Sequence, residues 1–265
     1  MTQLQSLFRV SDFERILCQD PLPLLVGGQA VNLWAMVYVR DSAVLSQLEP
    51  FLSRDCDLYG DADTLVRLAQ TTRWKVTFSP KGQPSPVVGF LAGRDAQERE
   101  LTVDVLYAIK GLQREDLARE TIVKLDDKPY RTLSPVTLLK AKLANLIEIP
   151  QEAPEQTRND LKHVKILIPC IAGYLGEALD RTLSGVLTER GLVNLLEETL
   201  QVVTGDYARR VSQAERLDFL RCFPEKLEAD ALPKVQRFWR QRLVPLRTRA
   251  AESLPNGKRL PEKPS

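Results

Sequence analysis

The sequence of 265 residues has a single histidine, His163. Any mechanism that needs two imidazoles is therefore excluded, and a hydrolytic triad would depend on this one residue. Cysteine is also scarce: Cys18, Cys56, Cys170 and Cys222 lie far apart and form no CxxC pair. That spacing excludes a compact disulfide framework and the usual zinc signatures, and it suits reduced core thiols in a cytoplasmic protein. No stretch reaches the ~18 uncharged apolar residues that a membrane helix needs, and the N-terminal segment lacks a basic region followed by a long apolar run. Neither a membrane partner nor a secretory leader is expected. Charge of one sign is missing too, since 37 Lys and Arg stand against 35 Asp and Glu. Attraction to polyanions must then come from local patches.

Hydrophobic residues make up 43% of the chain, enough to bury one large core or two modest ones, and two domains are expected. Ser11 with Glu14 reads as a capping box opening a short helix. The apolar run Leu22 to Val26 reads as a buried strand ended by Gly27 and Gly28, and residues 29–39 have the apolar density of a helix packed on a sheet. DCDLY (Asp55 to Tyr59) alternates like a strand, and a helix follows from about Ala62 to Thr71, capped by Asp61 or Asp63. Trp74 to Phe78, Pro86 to Gly93 and Glu100 to Ile109 read as further strands. Their short connections argue against a purely parallel sheet.

From Ser134, a plausible N-cap followed by Pro135, the pattern turns helical. Helices are expected over Leu161–Leu179, Gly191–Val203, Gln213–Cys222 and Lys234–Leu246. This divides the chain into a domain over 1–132, a helical domain over 133–252 and a tail over 253–265 whose Pro, Lys and Gly content predicts disorder.

Side chains two apart on a strand share a face, so Asp55 and Asp57 converge. Asp104 lies amid apolar neighbours on a later strand, where an unpaired carboxylate needs a metal ion or a cation. Three such oxygen ligands suit Mg²⁺ (or Mn²⁺) shared with substrate phosphates. Glycines without β-carbons let a backbone approach phosphates closely, beside the positive end of the next helix. Each element alone also fits a plain turn, a cap or a salt-bridged core residue. Their order, strand, glycine pair, helix, DxD and then a single Asp on a later strand, points to one site.

In that order LLVGGQAVNLWA, SRDCDLYGD and LTVDVL resemble the nucleotidyltransferase superfamily, especially its bacterial minimal and abortive-infection or toxin-like branch. The resemblance implies an α+β fold: a mixed-sheet, polymerase-beta-like domain followed by a C-terminal helical domain. It implies catalytic and metal-binding roles for Asp55, Asp57 and Asp104. It also implies nucleotide contacts from Gly27, Gly28, Gln29, Lys140, Arg158 and Asp160, with Lys142 as a further matching position. Asn159 falls where many relatives carry lysine. The activity implied is Mg²⁺-dependent transfer of a nucleoside monophosphate from a nucleoside triphosphate to a hydroxyl of RNA, protein or a small molecule, in a setting that includes an antitoxin partner. The alternative is a catalytically silent relative that binds nucleic acid or a partner protein.

Lys140 and Lys142 lie roughly 200° apart around a helix, so at most one can face a given phosphate. His163 shares a helix face with Asp160 and reads as a local hydrogen-bonding residue. Lys234, Arg237, Arg240, Arg242, Arg247, Arg249, Lys258, Arg259 and Lys263, with Phe238 and Trp239 interleaved, form a basic patch. Either it grips RNA by stacking and phosphate contacts, or it is an amphipathic helix whose rings enter the core.

Overall fold

The computed structural model describes residues 7–80, 82, 85–95, 97–150, 159–228 and 232–253. The chain begins with a 3₁₀ turn and the short helix α1 (Glu14–Leu17). The turn starts at Val10, before the expected Ser11 cap, because the Asp12 carboxylate accepts from the Arg9 N–H at 2.8 Å. Then come β1 (Leu24–Val26), α2 (Gly27–Tyr38), α3 (Ala43–Ser46), β2 (Cys56–Tyr59), α4 (Ala62–Thr72), β3 (Lys75–Phe78), β4 (Val87–Arg94) and β5 (Glu100–Leu106). Asp61 caps α4 by accepting from Thr64 N–H at 2.9 Å, as its position before the helix predicts.

Two strands, β6 (Glu120–Leu125) and β7 (Lys128–Leu133), follow the short helix α5 (Arg114–Leu117). No strand is expected from the sequence in either place. Their hairpin turn is Asp126–Asp127, with φ of 48° and 64°, both in the left-handed region that a tight two-residue hairpin demands. Aspartate fills this turn where glycine or Asn-Gly would have signalled it.

Among the described residues, seven strands form one sheet in the order β3-β4-β5-β2-β1-β7-β6. β2 runs parallel to β5 and β1 parallel to β7, and the other neighbours are antiparallel. The sheet is mixed, and a helical region follows it, so the expected α+β architecture is the observed one.

After Leu133 the chain is helical: α6 (Pro135–Glu148), α7 (Asp160–Leu183), α8 (Glu189–Thr204), α9 (Asp206–Glu215), α10 (Pro233–Phe238) and α11 (Val244–Ser253). Ser134 caps α6 by accepting from Thr137 N–H at 3.1 Å, with Pro135 in the first turn. The helix expected over Gln213–Cys222 is instead the end of α9 and a separate 3₁₀ turn, Phe219–Cys222. Arg216 adopts φ 54°, which ends α9, and the Asp218 carboxylate accepts from Leu220 N–H to start the new turn. The tail beyond Ser253 lies outside the described residues.

One hydrophobic core runs through both halves, from Leu25, Leu58 and Val103 in the sheet to Leu139, Leu167 and Leu196 in the helices. α2 is its hinge piece: it packs on β1 and β2 and also on α6 and α7. The Trp34 indole N–H fastens it by donating to the Leu133 carbonyl at 2.9 Å. Phe238 and Trp239 are buried in this core, and the Arg247 guanidinium lies 4.6 Å above the Trp239 ring. The second reading of the basic segment therefore describes it: its rings pack inward and are not available to stack on bases. No helix among the described residues is long and apolar enough to cross a membrane.

The β6–β7 turn gives a direct test. Asp127→Gly should raise the unfolding free energy by about 0.5 kcal/mol, because glycine adopts positive φ without steric cost. Urea denaturation measures it, and a destabilised variant would contradict the turn geometry.

Candidate active site

Cα pairing places Asp57 of β2 directly beside Asp104 of the parallel strand β5, and beside Val26 of β1 on its other flank. Residues paired in register project to the same side of a sheet. The accessibility pattern agrees: Cys56, Leu58, Val103 and Val105 are buried, while Asp57 and Asp104 are only half-buried on the other face. Asp55 lies in the bend just before β2, so strand alternation does not fix its direction. Its charge nevertheless acts on both partners.

The physical consequence is a set of carboxylates that repel one another. The Asp57 carboxyl is pushed up to about 7, first by burial and then by the Asp55 charge, with Asp104 adding to it. Lys142 and the Gly28 N–H, which donates to the Asp57 carboxylate, work in the opposite direction. Asp104 is pushed up to about 6 by burial and by Asp55. Between them Cys56 is buried, and its thiol is driven well above its usual range by burial and all three carboxylates. It stays a neutral thiol.

The glycine corner has a specific job here. Gly27 adopts φ +66°, and a β-carbon added to it would stand 1.8 Å from Asp57 Oδ2. Only glycine lets the Asp57 carboxylate lie flat against the turn and take the next N–H. At Gly28 an added β-carbon would meet Ser53 Oγ at 2.3 Å and the His163 ring at 3.1 Å. The two glycines are thus packing requirements of the acidic site, whatever else they contact.

Behind the corner stands a buried ion pair. Lys142 Nζ of α6 donates to Asp160 Oδ1 at the start of α7 at 2.9 Å, and both side chains are more than nine-tenths buried. Burial, with Lys142 nearby, holds His163 well below its usual range, so it is neutral at physiological pH. Its buried Nδ1 has no hydrogen-bond partner among the described residues.

Of the residues expected at the nucleotide, Gly27 and Gly28 adjoin Asp57, and Asp160 is bonded to Lys142. Gln29 is fully buried and its amide donates to the Phe8 carbonyl at 3.0 Å, tying down the N-terminal segment. Lys140 points elsewhere and pairs with Asp116 at 2.7 Å. Arg158 lies outside the described residues. Lys142 is the lysine turned toward the carboxylates, and the ~200° angular separation of the two lysines already required that at most one could be. Among the described residues, no group of three or more His, Cys, Asp or Glu is arranged to hold a metal ion.

No family model and no curated protein matches the sequence. Solved structures that are weakly similar to it include two of different origin. One is an antigenic nucleotidyltransferase-like protein from Paracoccidioides brasiliensis, 14% identical, covering 80% of this chain and 95% of that one, with a TM-score of 0.41. The other is JHP933 from Helicobacter pylori, 13% identical over 72% of this chain and 97% of that one, with a TM-score of 0.26.

Two outcomes are expected. Gly27→Ala should lower the unfolding free energy by about 2 kcal/mol or more, since it combines a left-handed backbone with a clash. Gly185→Ala, at φ +78° with nothing within 4 Å, should cost only the backbone part, roughly 1 kcal/mol. Equal losses in chemical denaturation would contradict the seating of Asp57. The second concerns pH. Asp57 and Asp104 have folded-state values above the ordinary 3.8, so their contribution is most favourable below about pH 4 and is lost as pH rises toward 6 and 7. Asp57→Asn should therefore raise the melting temperature of the metal-free protein at pH 8, with the gain vanishing near pH 4. A constant difference across that range would refute the shift.

Proposed function

We propose that this protein is a divalent-metal-dependent nucleotidyltransferase, which moves a nucleoside monophosphate from a nucleoside triphosphate to a hydroxyl acceptor. The observation that carries the reading is the register pairing of Asp57 with Asp104 beside the Gly27 corner. Two carboxylates whose mutual repulsion is only partly offset by one lysine form a donor set that a hard dication fits. Asp57 and Asp104, with Asp55 adjoining, would hold Mg²⁺ or Mn²⁺. When bound, such an ion supplies Lewis-acid stabilisation of charge on the phosphoryl group.

The chain's own residues do the rest. Gly27 keeps the wall beside Asp57 free of a side chain. Lys142, fixed by Asp160, sets a positive charge in the field of Asp57 and so offsets the charge of an incoming triphosphate. The acceptor oxygen bonds to the α-phosphorus as the bond from that phosphorus to the departing pyrophosphate breaks. The hydroxyl proton passes to one of the three aspartate carboxylates. The resemblance of the GG, DxD and single-Asp segments to toxin-like nucleotidyltransferases supports the same chemistry and an antitoxin as partner.

Purified protein with labelled nucleoside triphosphates, Mg²⁺ and either total RNA or cell lysate should label an acceptor. Asp57→Asn should abolish labelling, and Lys142→Met should reduce it by roughly a hundredfold, the scale for losing one positioned charge. If no triphosphate binds with any divalent ion while RNA or a partner protein still does, the chain is a silent relative.

A further inference from the structure

The acidic pair belongs to a longer cross-strand row. Thr77 pairs with Phe90, Phe90 with Asp104, Asp104 with Asp57, and Asp57 with Val26, which leads into Gly27. Because paired residues share a face, this row crosses the sheet from its edge strand β3 to the glycine corner on the side that carries the carboxylates. α4 packs on β3 and β4, and Gly89 lies against the Leu65 side chain of α4, so the covered face of these strands is the opposite one. On the carboxylate face Phe90 is 37% exposed and belongs to no packed cluster among the described residues. One strand over from Asp104 and two from Asp57, its Cα lies roughly 5 and 10 Å from theirs by ordinary strand spacing.

A second feature lies on the same face. Lys75 is two residues from Thr77 on β3, roughly 7 Å along the strand, and it is exposed with no ion pair among the described residues. An aromatic plane beside the reacting carboxylates, with a cation set back toward the sheet edge, matches a base with its preceding phosphate. A ring stacked on Phe90 carries its ribose hydroxyl over Asp104. From the sheet edge inward the cation, the aromatic surface and the carboxylates thus stand where the phosphate, the base and the hydroxyl of one terminal nucleotide would lie.

Resting on the transferase reading, we propose that Phe90 and Lys75 form the acceptor subsite, and that it takes the terminal nucleoside of a single-stranded RNA. Phe90 stacks on the terminal base and Lys75 meets the phosphate behind it. The triphosphate occupies the Gly27 end of the row and the acceptor the β3 end.

The test uses the full chain, Mg²⁺ with an equimolar mixture of the four nucleoside triphosphates, and a fluorescein-labelled single-stranded RNA of about a dozen nucleotides, within the usual site sizes. Thermal shift reads triphosphate binding and fluorescence anisotropy reads RNA binding. Phe90→Ala should weaken RNA binding by roughly 5- to 150-fold, the scale of one base stacked on an aromatic ring, while the triphosphate shift is unchanged. Phe90→Trp should restore it. Lys75→Glu should weaken it and reduce the slope of log affinity against log salt by about one. Phe78→Ala removes an exposed ring in register with Gly89 and Val105 on the opposite face, and should leave RNA binding intact. Triphosphate binding together with RNA affinity indifferent to Phe90 and Lys75 would overturn the subsite alone. Stronger competition by duplex RNA than by the single strand would do the same. Loss of triphosphate binding in the unaltered protein would overturn the transferase reading and the subsite with it.

Discussion

The structure depends on how closely the Asp57 carboxylate lies against Gly27. A carboxylate between two others resists burial, because each negative neighbour makes its charged form less favourable. Here the resistance is met by a backbone N–H from Gly28 and by the field of Lys142. A side chain at residue 27 would push the carboxylate out of that place. The glycine pair is therefore first a means of holding charge in a half-buried place. Parallel pairing of β2 with β5 then sets the second carboxylate one strand away.

The positive side of this balance comes from the helical half. Lys142 lies on α6 and its partner Asp160 opens α7. An ion pair so deeply buried gains little net stability, but removing either member would leave an uncompensated charge. Its value is positional: it fixes an ammonium group in the field of Asp57, where a free lysine on a surface helix would wander. α2, packed against both the sheet and α7, keeps the two halves in one register.

Much of this was legible in the sequence. Alternation in DCDLY and LTVDVL separated acidic from core positions, and the accessible and buried faces of β2 and β5 follow that division. The caps at Asp61 and Ser134 could be read because capping is a local interaction. β6 and β7 escaped notice because their turn uses two aspartates at positive φ, where the usual glycine is absent. The choice between Lys140 and Lys142 was not legible either. Helical spacing showed that they diverge, but which one meets the carboxylates is settled by the tertiary position of α6. Gln29 was misleading for a similar reason: its place after the glycines suggested a ligand contact, and its amide is instead spent on the Phe8 carbonyl.

That amide joins a set of contacts spread widely along the chain. Phe8 exchanges backbone hydrogen bonds with Ser53, Ser53 abuts Gly28, and Gly28 abuts His163 of α7. Residues 8, 28, 53, 57, 104, 142 and 163 thus converge on one corner although no two of them are close neighbours in sequence apart from 53 and 57. Such a corner forms only when long loops have closed. It cannot be excised as a contiguous segment, and a chain cut between β7 and α6 would keep the carboxylates while losing the ammonium group that steadies them.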